Sequence, residues 1–309
     1  MINLTMNTMT NTNHLIRTLS VTLALGITAI AHAQPADWNY SLSLSPLYQG
    51  KGKLEGGGEA SATSVIVRAG MFGDIGNGNR AGLTLNYDHT DYSFSNPVQF
   101  GGRAPWGTVE RYGFSVPLSF GLKDDWTLGI APSLDWIGEK GADSGESLTW
   151  GAIAFGAKRY ANGNRLGFGI GAFDRLEKTS VFPMIIVDWK LSDRWKLVNP
   201  LPAGPTGPAG LELDYRFDGD WNLGLGAAVR TTRFRLSSTN VVANGIGEES
   251  GAPVFLRATR NLGRQSTLNL YAGIIANGKL SIENSSGNRL TRVDLGTTPI
   301  FAATLVTRF

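Results

Sequence analysis

The chain has 309 residues, 28 of them basic and 25 acidic, with 40 glycines and no cysteine. So even a balance leaves no concentrated basic face for nucleic acid, and stability must come without disulfides. Three histidines argue against a multi-histidine metal centre, and nothing in the composition asks for a cofactor.

In chain order the first element is an export segment. Met1 to Asn13 is polar, Arg17 is the one cation, and "LSVTLALGITAI" from Leu19 to Ile30 is an apolar run. It is shorter than the ~20 residues that a helical span needs. The small-residue exit "AHA" predicts cleavage after Ala33, so residues 1–33 are expected to be a signal peptide and 34–309 the mature domain. Cleavage takes one cation from 28 and no anion from 25, and His89 is then the one remaining histidine.

From Trp38 onward, apolar and polar residues alternate. In "WNYSLSLSPLY" Trp38, Tyr40, Leu42 and Leu44 share one face, and in "LELDYRF" Leu211, Leu213, Tyr215 and Phe217 do the same. Period two with one apolar face fits a strand that separates two environments. A soluble periplasmic β-sandwich would bury that face between sheets. A membrane barrel turns it to lipid and lines its interior with the polar face.

Turn lengths favour the barrel. Six short turns lie at 73–79, 122–125, 161–164, 191–194, 218–220 and 261–266. Longer stretches lie between them at 49–61, 95–108, 138–147, 237–251 and near 278–297. Short periplasmic turns and longer outer loops are the outer-membrane pattern. The count is 14 strands: 38–48, 62–72, 80–93, 109–120, 126–137, 148–160, 165–176, 180–190, 195–201, 211–217, 221–236, 253–260, 267–277 and 298–309. Dropping the hairpin around "PAGPTGPAG" would leave 12. Pro46, Pro117, Pro132 and Pro183 fall inside these strands, where each should mark a bulge, a kink or a strand end.

Trp126, Trp195 and Trp221 each open a strand directly after a short turn. On the barrel reading they form an aromatic girdle at the periplasmic water–lipid boundary. The chain ends "FAATLVTRF", with Phe301, Leu305 and Phe309 on one face, and a terminal Phe on an alternating last strand resembles the assembly signal of bacterial outer-membrane barrels. Thr307 stands where that signal often carries an aromatic residue.

Phasing by the apolar face puts Glu212, Asp214, Arg216, Arg230 and Arg257 in the lumen, with Arg230 and Arg257 at similar heights. They are either a charged constriction or a brace of satisfied pairs across a packed barrel. Gly129, Ala131, Gly167, Gly169, Gly224 and Gly226 share the lumen phase and argue for open space. Arg233 and Arg235 take the outer phase, where lipopolysaccharide phosphates are one partner for them. The hydrolase alternative rests on His89 in "YDHTDY", but Asp88 and His89 are neighbours and point to opposite faces of a strand, so no enzyme is expected.

The run 181–236 carries Pro183, "DWK" from Asp188, Arg194-Trp195, Asn199-Pro200, "GPAGLEL" and "RFRL". With the later "GIGEES" and "PVFLRATRNLG" it resembles a family of uncharacterised Gram-negative outer-membrane barrel proteins, most closely over 181–309. That resemblance implies an all-β, antiparallel up-and-down transmembrane barrel and no assigned activity. The expected function is a passive porin-like channel for small polar solutes in the cell outer membrane. The alternative is a packed barrel with a structural or surface-binding role. The expected partners are outer-membrane lipid, lipopolysaccharide and, through the last strand, the barrel-assembly machinery.

Overall fold

The computed structural model describes residues 38–201, 204–207, 209–217 and 219–309, of which Asn39–Arg308 form one compact unit. The expected signal peptide lies outside the described residues. Fourteen antiparallel strands follow one another around a closed sheet. They are β1 Trp38–Lys53, β2 Glu59–Gly76, β3 Asn79–Ser95, β4 in two pieces (Thr108–Ser115 and Leu118–Gly121), β5 Trp126–Glu139, β6 Leu148–Arg159 and β7 Arg165–Arg175. The second half comprises β8 Thr179–Lys190, β9 Trp195–Val198, β10 Gly210–Arg216, β11 (Trp221–Ala228 and Arg230–Arg235), β12 Ile246–Leu262, β13 Ser266–Glu283 and β14 (Arg289–Leu295 and Thr298–Arg308). Each strand pairs with the next, and β14 closes on β1 from Ser41↔Arg308 to Gln49↔Ile300. Closure satisfies the backbone over almost the whole wall, as a sheet surrounded by lipid requires; above Asp188 of β8, where β9 ends, the Asn199 side chain bonds Val187 and Ile185 in place of a strand.

The outward phase is apolar. Leu128, Ile130, Phe168, Ile170, Leu223, Leu225, Leu256, Phe301 and Leu305 are all exposed on strand surfaces. A soluble sandwich would bury this face, so the fold is a barrel with its apolar side outward. The six short turns at the base are as expected. Three of the long stretches are not loops: β1 and β2 run on to leave only 54–58 between them, β12 starts at Ile246, and β13 and β14 are separated only by 284–288. In β1 and β12 the upper extensions, "GKGK" and "GEES", carry no apolar alternation because they face water on the outside, whereas in β13 Leu280 and Ile282 alternate toward the core.

The prolines divide. Val116 donates to Pro132 O and Gly82 donates to Pro117 O, while neither proline can return the bond. The two missing donors break β4 at 116–117 without changing the register, which continues from Ser115↔Ser133 to Leu118↔Ile130. Likewise β1 skips Ser45 and Pro46 in its pairing with β14 and resumes in register at Leu47↔Ala302. Of the expected bulge, kink or strand end, Pro117 takes the strand end, between the two pieces of β4, and Pro46 interrupts its ladder without a bulge, while Pro132 and Pro183 stay paired, opposite Ala152 and Ile170.

The lumen-phase glycines are covered, which corrects the expectation of open space. Directly paired residues share a face, and register sets Gly129, Phe155, Gly169 and Met184 in one row across β5–β8. The next row is Ala131, Ile153, Gly171 and Phe182. Large side chains lie flat over the small neighbours: Phe155 over Gly129, Phe182 over Gly171, Phe255 over Gly226. Glycine here makes room for a ring. A Cβ on Gly226 would stand 2.5 Å from the Phe255 ring, whose side chain is fully buried. Gly226→Val should therefore cost about 1–3 kcal/mol by overpacking, read as a lower urea midpoint for loss of the heat-resistant barrel band. Val at Gly263, a turn with open space and φ +80°, tests backbone strain alone and should leave the Phe255 environment unchanged.

Candidate functional site

Four polar clusters occupy the lumen side. Across β2–β5, Arg68 pairs with Asp88, Arg111 Nη1 reaches Asp88 Oδ2 at 3.4 Å, and Arg111 Nε donates to Asp135 Oδ1 at 2.8 Å. Gly113, directly opposite Asp135, leaves the room that this carboxylate occupies. Sequence reading missed this ladder, although all four residues sit out of phase with the outward apolar positions, and phasing every strand would have found it.

The expected constriction residues do not act as one ring. Arg257 Nε donates to Glu212 Oε1 at 2.7 Å, Nη2 lies 3.4 Å from Asp214, and Nη1 donates to Thr259 and to Asn269 Oδ1. Glu212 is 1% exposed and lies over Gly224. Arg216 stands exposed at the base of β10. Arg230 belongs to a different group: it donates to Gln49 Oε1 at 3.2 Å and faces Glu249 at 3.5 Å, with the Tyr92 hydroxyl donating to Glu249 at 2.6 Å. Arg257 pairs opposite Gly224 but Arg230 opposite Gly251. They are separated by six positions of β12, roughly 20 Å at strand rise. The similar heights expected for them are wrong because β12 is longer than its apolar alternation.

Arg233 and Arg235 depart from expectation in one respect. They keep the outer phase, since β11 resumes beyond 228–229 in the register it had, from Ala227↔Val254 to Arg230↔Gly251, but both are buried because the β7–β8 turn and the neighbouring loops cover that face. Arg233 donates to Glu248 at 2.8 Å and to both oxygens of Glu283 at 3.1 and 2.7 Å, and it caps Arg175 O and Leu176 O on the β7–β8 turn. Arg235 reaches Gly138 of β5 through the backbone, and its side chain donates to Glu146 O, Asn244 O and Glu177. Phe234 between them packs edge-on to Trp106 at 5.1 Å, and Trp106 meets Tyr92, Phe94 and Phe100. Leu54, Val109, Leu236, Leu280, Val293 and Leu295 complete this core. Loops 96–107 and 236–245 are tied together by Asn240 donating to Pro105 O. A packed apolar core thus fills the outer mouth of the barrel.

A second segment enters the lumen lower down. β9 has four residues, the shortest strand of the wall, and the chain after it turns inward. Gly204, Pro205 and Thr206 are buried, and Gly204 lies against the Tyr271 hydroxyl of distant β13, where a Cβ would stand 2.8 Å from the oxygen. Beside this segment Thr206 Oγ1, Tyr271 Oη and Glu212 Oε2 are buried with no hydrogen-bond partner among the described residues.

The lumen lining of β6–β8 is apolar. Ile153, Phe155, Phe173, Phe182, Met184 and Ile186 share the inward face of β6–β8 and are only half-buried. Trp126 and Trp195 are exposed at the feet of β5 and β9, Trp221 is half-buried at the foot of β11, and Trp195 lies 4.7 Å from the Tyr215 ring. Phe301 and Leu305 face outward on β14, and Phe309 follows its end. His89 is on the outer face of β3, 3.2 Å from both Glu110 and Asp91. Among the described residues no three metal-ligating side chains converge.

These features define a closed, 14-stranded antiparallel barrel of the outer-membrane type. Residues 142–293, from the β5–β6 loop into β14, match a family described as a domain of unknown function, DUF6268. No curated protein matches the chain. Among solved structures, the COG4313 outer membrane channel from Pseudomonas putida F1 is 12% identical over 90% of this chain and 97% of its own, TM-score 0.47. The toluene transporter TodX of Pseudomonas putida is 11% identical over 89% and 90%, TM-score 0.42. The translocator domain of autotransporter NalP from Neisseria meningitidis is 13% identical over 97% and 98%, TM-score 0.37. The fold assignment rests on the strand register, not on these distant likenesses.

Two predictions follow from the ion pairs. Arg257→Ala strands a buried Glu212 and should cost about 3–5 kcal/mol, whereas Arg257→Met with Glu212→Leu should recover most of it; denaturant midpoints of refolded protein measure both. At the outer mouth, the hydrogen bond from Arg233 holds the Glu283 carboxyl below its ordinary value of 4.5. Its stabilisation is complete above that value and is lost as pH falls through the lower folded one. The melting-temperature gap between wild type and Glu283→Gln should be widest near pH 7 and should close as pH falls below 4.5 through the lower folded value.

Proposed function

We propose that this protein is an outer-membrane channel of restricted passage, closed at its outer mouth, rather than an open porin. The observation that carries this reading is the core around Trp106 and Phe234, which fills the mouth and is clamped by Arg233 to Glu248 and Glu283. The paired lumen charges support it, because both carboxylates of the Arg257 group lie against its one guanidinium, which screens their field toward solutes. In this reading Trp126, Trp195 and Trp221 mark the periplasmic lipid boundary, and export through a cleaved signal and assembly through β14 follow.

Passive, porin-like passage of small polar solutes is the second reading. It is favoured by the half-exposed lumen side chains below the cap. A packed barrel with no solute path at all is disfavoured by the same side chains.

Planar-bilayer recording separates the readings. Wild type should pass no steady current, and Trp106→Ala with Phe234→Ala should open a steady one. A steady wild-type current whose ion selectivity shifts with Glu212→Ala or Arg230→Ala would establish the porin instead.

A further inference from the structure

One lumen-facing arginine stands outside the ion pairs. Register sets Arg68, Asn86, Gly113, Asp135, Thr149 and Arg175 in a single row from β2 to β7, and directly paired residues share a face. Arg68 has Asp88, and Arg111 has both Asp88 and Asp135. Arg175 ends the row with no carboxylate at ion-pair distance and no hydrogen bond from its side chain among the described residues. The charges that act on it are Arg111, Asp135, Arg233 and Glu248. Both carboxylates of that set already bind another guanidinium, Asp135 that of Arg111 and Glu248 that of Arg233. In the ladder Arg68, Arg111 and Arg175 thus face only Asp88 and Asp135, and the surplus cation sits on β7.

The support of this arginine is aromatic. Its guanidinium carbon lies 4.9 Å from the centre of the Phe173 ring. Phe173 stacks on Phe182 with ring centres 5.8 Å apart and planes 2° from parallel. Phe173 in turn lies over Gly151, where a Cβ would stand 2.5 Å from the ring. Both rings are half-buried, so their lumen side is accessible. At the height of Phe173 the row continues across β3–β5 as Thr84, Ser115 and Ser133. Arg175 therefore marks the seam of the lumen, where the salt-bridged arc meets the upper end of the apolar one. A guanidinium held over a ring keeps its planar fork of N–H donors for a carboxylate.

We propose that Arg175 and the Phe173–Phe182 shelf form a lumen site for small aromatic carboxylates, and that this site selects the solutes of the channel. The inference rests on the restricted-channel reading and names its solute class. The carboxylate takes the fork of Arg175, the one cation of the ladder that no carboxylate neutralises, and the ring lies on the shelf below. Three competitors each lose part of this. A bare anion forgoes the rings. A neutral aromatic leaves the guanidinium without its counter-charge. A flexible acyl chain gives up more rotamer freedom than a rigid ring to lie on the same surface. Arg175 O also accepts from Arg233, so the site adjoins the clamp of the mouth.

Equilibrium dialysis of labelled benzoate against the refolded mature protein in detergent, with empty micelles as the reference, reads the site directly. Binding should be saturable, and Arg175→Gln should weaken it about tenfold or more. Phe182→Ala and the charge-preserving Arg175→Lys should each weaken it severalfold. Arg264→Gln, which removes a cation from the β12–β13 turn, should leave it unchanged, and heat resistance on a gel establishes folding of every variant. Acetate should displace benzoate far less well, and so should heptanoate, which has as many carbons but no ring. The same titration on the Trp106→Ala/Phe234→Ala protein removes the seal as an obstacle to entry. No saturable binding to either preparation, or equal affinity in Arg175→Gln, would overturn the site. Equal displacement by acetate would leave a bare anion site and equal displacement by heptanoate an acyl site, and either refutes the aromatic class. Bilayer recording of wild type separates the two readings. Steady current with Arg175-dependent binding would overturn the closed mouth and leave the site standing, whereas no current and no binding would do the reverse.

Discussion

Everything in this structure depends on one constraint, that backbone N–H and C=O groups facing lipid must find partners within the sheet. Fourteen strands closed from β1 to β14 meet it around almost the whole wall. The exceptions are therefore informative. At β4, Pro117 and Pro132 each forfeit one bond while neighbouring pairs hold the register on both sides. At β8 the forfeiture is larger and is managed differently, by a proline where a donor would be wasted and by an asparagine side chain where two carbonyls need one.

The interior divides by chemistry. One arc carries salt-bridged clusters, from Arg68–Asp88–Arg111–Asp135 to Arg257 with Glu212 and Asp214, each spread over adjacent strands. The other, β6–β8, carries a checkerboard of rings and glycines. The charges brace the wall and the apolar arc leaves surface that only an apolar solute would wet. Both use glycine in the same way, as the site over which a neighbour's side chain can lie flat: Glu212 over Gly224, Phe182 over Gly171.

The fourteen strands and the six basal turns were legible because the lipid-facing part of each strand must alternate. Legibility ended where that demand ends. The upper parts of β1 and β12 stand above the lipid and carry "GKGK" and "GEES" with no apolar phase, so they read as loops. Arg233 and Arg235 do take the outer phase, but the β7–β8 turn and the loops at 146 and 244 cover that face, which the alternation of a single strand does not show. Glycines at 129, 169 and 226 read as space because a single strand does not say what its partner lays over it; only register does. The pairing of Glu212 and Asp214 with Gly226 and Gly224 was recoverable, since a short turn at 218–220 sets it.

The seal of the mouth has one origin. β11 holds one register with β12 on both sides of its interruption at 228–229, from Ala227↔Val254 to Arg230↔Gly251, so its upper piece is carried by β12 above the shorter strands β7 and β8. There it meets Gly138 of β5, delivers Phe234 and Leu236 to the core of the mouth and lays Arg233 against the β7–β8 turn. One strand pair that outgrows its neighbours therefore supplies both the apolar filling of the mouth and the guanidinium that fastens it to the β7–β8 turn.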